Sequence, residues 1–310
     1  MAFPIRSSSP TASRRRLREL MAAPNVVALP GPYDATSAIL LTQLGFEGLW
    51  AGGKVASASS IGTGDLGLMT MTEQLRFCTS IVEATGSAVV ADADDGYGGL
   101  LQVARTVQAF ERAGVAAIVL EDQAAPKHCA FYEDFPLALV DKEDMVAKIK
   151  TALDVRLDDT TMIWARSDAL AAGKGVAETL DRIRAYAAAG ADAIFVPCGK
   201  LDDLAAYAKA WDSPVPLVMS GAAFPAVTLD QARDMGFAAK LDPAAATLAA
   251  LKAVEEVMLD YRRTGSLVNA GKRSKTSQEF EELTATKVAA EMERRFHAHR
   301  QADDPAPSTT

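Results

Sequence analysis

Residues 116–129 read Ala-Ala-Ile-Val-Leu-Glu-Asp-Gln-Ala-Ala-Pro-Lys-His-Cys. The first five residues form a continuous apolar run, typical of a strand in a parallel sheet that is covered on both faces. Two carboxylates, Glu121 and Asp122, end this run, and a loop with a lysine and a cysteine follows. Acids at the end of a buried strand are costly unless they hold a metal or take part in proton chemistry. The stretch therefore predicts a buried parallel strand that ends at an active site.

Similar apolar runs alternate with amphipathic helical stretches along the whole chain, and several helices end in an Ala-Gly pair such as Ala113-Gly114. Eight strands alternating with helices predict a (β/α)8 TIM barrel. A doubly wound open sheet is the alternative, but Leu29-Pro30-Gly31-Pro32-Tyr33 is not the glycine-rich fingerprint that usually follows its first strand. The predicted strands cover residues 26–30, 46–51, 88–93, 116–121, 161–166, 193–197, 216–220 and 238–241.

Composition excludes several classes of protein. The chain has 310 residues, 49% of them hydrophobic, which is enough for the core of one barrel. Its net charge of −8 and the lack of a basic stripe argue against a nucleic-acid partner, and no apolar run is long enough for a membrane span. Three scattered cysteines without a CxxC pair indicate a reducing compartment, so we expect a cytoplasmic protein. Five arginines within residues 1–18 leave import into an organelle open.

The segment after the eighth strand and its helix is predicted to be one amphipathic helix, because its apolar residues have helical spacing. It would pack on the barrel or on another subunit. The expected organisation is a tail over 1–13, the barrel over 14–264, the C-terminal helical segment over 265–300 and a tail over 301–310. The apolar residues of the segment are Phe280, Leu283, Val288, Met292 and Phe296.

Asp92 and Asp94 end the third predicted strand, two residues apart, so their side chains are expected on the same face. Oxygen ligands of this kind suit Mg²⁺. A solvated, capped loop is the alternative for such a pair by itself, and Glu121 at the end of the next strand favours the metal site. Asp65, in a glycine-rich loop, is a further acid that would be interpreted alone as a turn residue.

Two other polar residues suggest chemistry. Arg166 ends the fifth predicted strand, where it would either grip a substrate carboxylate or form a salt bridge to Asp168 or Glu121. Cys129 is interpreted as a reactive thiol, because the cations that flank it in sequence would lower its pKa. Cys78 is predicted to be a core residue, and Cys198 would line the same pocket as Cys129.

Taken together, three motifs resemble the isocitrate lyase/phosphoenolpyruvate mutase superfamily over residues 17–265. They are Ala91-Asp92-Ala93-Asp94-Asp95-Gly96-Tyr97-Gly98, Leu120-Glu121-Asp122-Gln123 with Pro126-Lys127-His128-Cys129, and Ala165-Arg166-Ser167-Asp168-Ala169. The resemblance implies a barrel that depends on Mg²⁺, with Mn²⁺ as a substitute, and that is commonly tetrameric with a helix exchanged between subunits. It also implies cleavage or formation of C–C or P–C bonds beside a small anionic 2-oxo acid.

The resemblance also implies roles for individual residues. The metal would be bound directly by Asp92 and through water by Asp65, Asp94 and Glu121. Loop 123–137 would close over the substrate as a gate, and Cys129 would handle the proton on the carbon left by cleavage. The remaining implied site residues are Trp50, Gly52, Gly53 and Arg166 for substrate binding, and Arg166, Glu121 and Lys127 beside Cys129 for catalysis.

Four departures from the lyase pattern fall in the distal pocket, while the metal and enolate machinery is kept. They lie at Lys127-His128-Cys129-Ala130-Phe131, Trp50-Ala51-Gly52-Gly53, Pro197 and Val218-Met219-Ser220-Gly221. The first expectation is therefore a C–C lyase for a 2-alkylmalate, methylisocitrate-like or oxaloacetate-like acid, with isocitrate and methylisocitrate themselves disfavoured. A mutase or hydrolase that cleaves the P–C bond of phosphonopyruvate or carboxyphosphonoenolpyruvate is the alternative. A barrel that binds ligand without turnover is the third reading.

Overall fold

The computed structural model describes residues 9–132, 134–272 and 274–302, with side chains as far as His297. The chain divides into two compact units, one formed by Ser7–Ala249 and one that contains the residues from Ala250 onward. Most of the predicted tails at 1–13 and 301–310 lies outside the described residues. In the part that is described, α1 already begins at Pro10.

The first unit is a nearly closed parallel barrel, as predicted. Its strands follow the hydrogen-bonded order β1-β8-β7-β6-β5-β4-β3-β2. β1 and β2 complete the ring side by side, where Gly48 has no side chain and leaves room for Leu29. All eight predicted strands are confirmed to within two residues. Their bounds are β1 Val27–Pro30, β2 Gly48–Ala51, β3 Ala88–Asp92, β4 Ala117–Glu121, β5 Met162–Arg166, β6 Ala193–Phe195, β7 Leu217–Ser220 and β8 Phe237–Asp242.

Helices connect the strands and cover the outside of the barrel. In α5, for example, Val103, Val107 and Phe110 recur at helical spacing and are fully buried. The bounds are α1 Pro10–Ala22, α2 Ala35–Gln43, α3 Gly53–Ile61, α4 Met71–Thr85, α5 Leu100–Arg112, α6 Lys142–Val155, α7 Gly175–Ala188, α8 Leu201–Ala210, α9 Leu229–Asp234, α10 Ala245–Thr264, α11 Ser277–Leu283 and α12 Thr286–Ala302, with a 3-10 turn at Ala270–Lys272.

Residues along each strand alternate between two apolar cores. Ile118 belongs to the core shared with the surrounding helices, whereas its neighbour Val119 belongs to a second core built from strand residues and α1. Leu17 and Met21 of α1 pack in this second core, so α1 closes the end of the barrel at which the strands begin. The polar strand ends are left at the opposite end.

The C-terminal residues correct one prediction. The segment 265–300 does not form one helix, because α11 and α12 are separated at Thr284–Ala285 and Ala285 has a left-handed φ of 55°. A non-glycine residue in that conformation cannot continue a right-handed helix. Across the described chain, no helix combines the length and apolar character that a bilayer crossing requires.

Candidate active site

Three carboxylates converge at the carboxyl ends of the strands. Asp92 ends β3, Asp94 follows it, and Asp65 comes from the loop between α3 and α4. A methyl group placed on Gly53 would lie 3.4 Å from an oxygen of Asp65, 3.4 Å from one of Asp92 and 3.5 Å from one of Asp94. Glycine at this position therefore keeps open the space that the three acids share.

The reason for the pairing of Asp92 and Asp94 differs from the prediction. β3 stops at Asp92, and Asp94 adopts a left-handed φ of 47° in the following turn. Its backbone N–H donates to Asp92 Oδ1 at 3.3 Å, and the Gly53 N–H donates to Asp92 Oδ2 at 3.1 Å. A strained turn, rather than strand alternation, thus brings the two acids together.

Lys127 places a cation from the predicted gate loop among these acids. Its Nζ lies 2.6 Å from Asp65 Oδ1 and 2.5 Å from Asp94 Oδ1. Burial raises the pKa of Asp94 to about 7, against the opposing effect of the Lys127 ammonium. The loop is held further by the Cys129 N–H, which donates to Asp65 O at 3.0 Å, and by Tyr132 Oη, which accepts from the Asp65 N–H at 3.3 Å. The gate segment therefore covers the acids.

Arg166, at the end of β5, forms both of the salt bridges that its position in the sequence left open. Its Nη1 lies 2.9 Å from Glu121 Oε2, and its Nε and Nη2 donate to the two oxygens of Asp168 at 2.9 and 3.1 Å. The guanidinium also lies 5.5 Å from the centre of the Phe195 ring. These contacts hold it rigidly at the cavity, as bidentate recognition of a carboxylate requires.

The two acids at the end of β4 have different tasks. Glu121 joins the site through Arg166, whereas Asp122 is fully buried and accepts hydrogen bonds of 2.8 Å each from Ser167 Oγ, the Asp168 N–H and Tyr186 Oη. Asp122 therefore positions the Asp168 segment behind Arg166. Successive residues of a strand point to opposite faces, so Glu121 and Asp122 were expected to differ in their surroundings. The sequence does not show which of the two faces the site.

Cys129 lines the cavity, but the reason given for its reactivity is wrong. Burial raises the pKa of its thiol, and the Lys127 ammonium is engaged by Asp65 and Asp94. The His128 ring stacks on Phe135, with 4.7 Å between ring centres. Although Lys127 and His128 are close to Cys129 in sequence, both side chains interact with other residues. A protonated thiol at neutral pH is suited to donating a proton rather than to attacking as a thiolate.

The other two cysteines are buried elsewhere. Cys78 is fully buried in the core, as predicted. Cys198 lies outside the cavity of Cys129 and lines a separate pocket of about 420 Å³ together with Lys200 and the outer side of the gate. The expectation that Cys198 shares the pocket of Cys129 is therefore wrong. Phe131 and Pro197 line both pockets and lie between them.

The inner cavity is small, with a volume of about 50 Å³, and it contains most of the residues that the sequence singled out. The sequence analysis assigned no role to Lys54, because a lysine early in a helix usually faces solvent. It also missed apolar residues at the strand ends, such as Phe195 and Leu241, because they resemble ordinary core residues. Glu121, Asp94 and Lys127 lie behind this lining. The cavity is lined by Trp50, Gly52, Gly53, Lys54, Asp65, Asp92, Cys129, Phe131, Arg166, Phe195, Pro197, Ser220, Leu241 and Pro243.

The oxygen donors of these residues are of the kind that fits Mg²⁺. Glu121 Oε1 is buried without a hydrogen-bond donor, and carboxylate oxygens are the ligands that Mg²⁺ prefers. Over the part of the chain that the structure describes, no group of three or more His, Cys, Asp and Glu side chains is arranged to ligate a metal directly. Asp92, Asp65, Asp94 and Glu121 are the residues that would hold a Mg²⁺ ion at this site.

Known proteins resemble this chain in sequence and in fold. Residues 17–261 match the family model described as phosphoenolpyruvate phosphomutase. The 2,3-dimethylmalate lyase of Eubacterium barkeri is 35% identical over 290 residues, which cover 92% of this chain and 98% of that protein. A phosphonopyruvate hydrolase solved with oxalate and Mg²⁺ has a TM-score of 0.85 at 29% identity, covering 92% of this chain and 99% of the other.

An oxaloacetate acetylhydrolase solved with the inhibitor 3,3-difluorooxaloacetate is equally similar in fold. Its TM-score is 0.85 at 28% identity, with coverage of 94% of this chain and 99% of the other. The family-model match over residues 17–261 spans the strands that end at or next to Asp92, Glu121 and Arg166. The chain therefore belongs to the phosphoenolpyruvate mutase/isocitrate lyase superfamily of enzymes.

Proposed function

We propose that this protein is a Mg²⁺-dependent lyase that cleaves a C–C bond beside the oxo or hydroxy group of a small dicarboxylate. The observation that carries the proposal is the placement of a buried thiol, Cys129, in the same cavity as Asp92 and Arg166. Cleavage of the C–C bond of a 2-hydroxy acid leaves the electron pair on the departing carbon, which then needs a proton, and this thiol can donate it. The relative named 2,3-dimethylmalate lyase supports the choice of a C–C bond.

In this proposal Arg166 binds the carboxylate of the oxo-acid end, and the glycine backbone at Gly52 and Gly53 lets that end approach closely. Mg²⁺, when bound, supplies Lewis-acid stabilisation of the negative charge that develops on the oxo or hydroxy oxygen. For a 2-hydroxy acid, the hydroxyl proton passes to Asp65 or Asp92, which line the cavity. Cys129 then donates its proton to the released carbon, while the closed gate keeps water from competing.

The size of the cavity limits the substrate. Its volume of about 50 Å³ favours a small acid over a bulky one. The wall away from the acids is apolar, formed by side chains such as Phe131, Phe195 and Leu241. Short acids of the oxaloacetate or alkylmalate type fit this space better than a tricarboxylate such as methylisocitrate.

P–C bond cleavage of phosphonopyruvate is the second candidate, favoured by the fold similarity to phosphonopyruvate hydrolase. Both reactions would use the same acids and Arg166. They differ at the departing group, because Cys129 would donate a proton to a departing carbon but has no such role when phosphorus departs. The intact acids and the enclosed thiol argue against a barrel that binds without turnover.

The test is release of pyruvate in the presence of Mg²⁺ from oxaloacetate, 2,3-dimethylmalate, methylisocitrate and phosphonopyruvate. Release from a carbon substrate that stops with EDTA supports the lyase. Release from phosphonopyruvate alone, followed by ³¹P NMR, would replace it with the P–C reaction. Failure to release pyruvate, oxalate or phosphoenolpyruvate from any of the four, with the protein folded and Mg²⁺ bound, would contradict both candidates.

The proposal includes assembly into a homo-tetramer in the cytoplasm. α10 contains no buried residue over its 20 positions, yet it carries apolar side chains at helical spacing. A stripe of this kind is typical of a helix that packs against another chain, and we assign the partner as a second copy, by exchange of C-terminal helices. The exposed apolar residues are Leu248, Leu251, Val254, Met258, Leu259 and Tyr261.

A further inference from the structure

Three cations lie in or directly behind the lining of the inner cavity, and two of them form ion pairs with carboxylates of the protein. Arg166 pairs with two carboxylates, and Lys127 pairs with two others. Lys54 also lines the cavity but belongs to no ion pair with any described residue. Its charge is therefore available to a ligand.

The position of Lys54 is unusual for an ordinary surface lysine. It is the second residue of α3, and the first turn of that helix contains no acid. A positive charge there opposes the helix dipole, which favours anions at the N-terminus. Lys54 is exposed, as a solvated lysine would be. A lysine that only interacts with water, however, would be more stable away from the N-terminus of a helix.

The closed gate keeps the Lys54 side chain at the site. Its Nζ lies 5.8 Å from the centre of the Tyr132 ring, a cation–π distance. Tyr132 in turn accepts a hydrogen bond from the Asp65 N–H. Lys54, Arg166 and Cys129 all line the same cavity.

The remaining walls provide no other cation for a second carboxylate. Beyond the acids and Arg166, the described lining is apolar apart from Ser220 and Cys129. A substrate whose oxo-acid end lies on Arg166 therefore meets Lys54 as the partner for an anionic group on the far side of Cys129.

We propose that Lys54 is a specificity-determining residue that binds the carboxylate beyond the scissile bond. This inference rests on the proposed lyase function and assigns the residue that binds the second carboxylate of the dicarboxylate substrate. Acids that carry only an apolar group there would lack a partner for Lys54 and would be discriminated against by the lost charge-assisted hydrogen bond.

The experiment compares ligands with and without the far carboxylate in Lys54→Met and Lys54→Arg. Oxalate reaches only the oxo-acid end, whereas 3,3-difluorooxaloacetate carries the additional carboxylate. Dissociation constants are measured by calorimetry with Mg²⁺ present, and kcat/KM is measured for 2,3-dimethylmalate. Lys200→Met, in the neighbouring pocket, is the matched control.

For Lys54→Met we expect difluorooxaloacetate binding and kcat/KM to fall by about tenfold to hundredfold, the scale of a hydrogen bond to a charged group. Oxalate binding should stay within about twofold, and Lys54→Arg should recover most of the loss. An equal change for both ligands, or no change, would overturn the role of Lys54. If the wild type turns over no carbon substrate, the lyase proposal fails, while the two dissociation constants still decide the Lys54 assignment.

Discussion

At the scale of single residues, the thiol of Cys129 lies in a nearly dry environment, with only 6% of the residue exposed. Burial disfavours the charged thiolate, which raises the thiol pKa. Arg166 and Lys54 limit this rise without engaging the sulfur in an ion pair. The residue is therefore poised to give up a proton when negative charge develops on a neighbouring carbon.

We expect Cys129→Ser to lower kcat by a factor on the order of 10²–10⁴, the usual contribution of a positioned acid. A hydroxyl is a much weaker acid than a thiol, although it fits the same space. Mg²⁺ affinity should not change, because the hydrogen bond from Cys129 to Asp65 is donated by the backbone N–H, which the substitution keeps. Steady-state kinetics and calorimetry with Mg²⁺ test both statements.

Cys198→Ser is the matched control, since Cys198 is buried outside the inner cavity. It should leave kcat unchanged. Equal turnover of Cys129→Ser and wild type would remove the thiol from the reaction.

At the scale of elements, the gate loop is held down by a few polar contacts rather than by an apolar core. Lys127 supplies two of them, through Asp65 and Asp94. Removal of the ammonium would leave both buried carboxylates without their cation and the loop without its anchor. Loops with few buried apolar contacts open most readily.

For Lys127→Met we expect amide hydrogen exchange over residues 124–137 to become faster by on the order of tenfold. The Cys129 amide, which donates to Asp65, should respond most clearly. Mass spectrometry of peptides from the loop and from α6 separates gate opening from general unfolding. Lys142→Met removes an exposed ion pair with Asp181 just after the loop and serves as the control. Equal protection in Lys127→Met and wild type would refute the anchoring role.

For the whole molecule, one stabilising cluster joins α1 to the loop before β5. Asp158 accepts hydrogen bonds from Thr160 Oγ1 at 2.5 Å, Thr11 Oγ1 at 2.9 Å and Arg14 Nη1 at 3.0 Å. The Thr160 hydroxyl and the other donors hold the pKa of Asp158 below its ordinary value. The carboxylate therefore stabilises the fold at neutral pH and fastens the helix that closes the barrel.

Because the folded pKa of Asp158 is lowered, its contribution is complete above the unfolded value of about 3.9 and is lost as the pH falls further. We expect Asp158→Asn to reduce the free energy of unfolding by about 1–2 kcal/mol at pH 7. The difference from wild type should shrink below about pH 4. Urea unfolding across pH 3–7 measures it, and a difference that stays constant with pH would contradict the assignment.

Assembly is also decided at this scale. Leu251 of α10 is 62% exposed, and we expect Leu251→Glu to shift the proposed oligomer toward monomers, because a charge would have to be buried in the interface. Leu157→Glu is the control, at a leucine that is 64% exposed on the barrel unit. Analytical ultracentrifugation compares the two. A monomeric wild-type protein would contradict assembly through this helix.

The local sequence determined the strands and the positions of the site acids in the chain. Apolar runs such as 116–120 are typical of strands in a sheet covered on both faces, and Ala-Gly pairs mark where helices end. Parallel strands place their carboxyl ends together, so Asp92, Glu121 and Arg166 could be assigned to one site before any coordinates were known. The motifs around them were sufficient to identify the superfamily.

Only the tertiary structure decided what each polar group contacts. Lys127 turned out to bridge Asp65 and Asp94 rather than to activate Cys129, and the C-terminal segment broke at Ala285. In the folded chain Lys54 lines the inner cavity, whereas Cys198 lines another pocket. The physical reason is that secondary structure follows from local patterns, whereas burial, charge pairing and pKa depend on residues that are distant in sequence and meet only when the barrel closes.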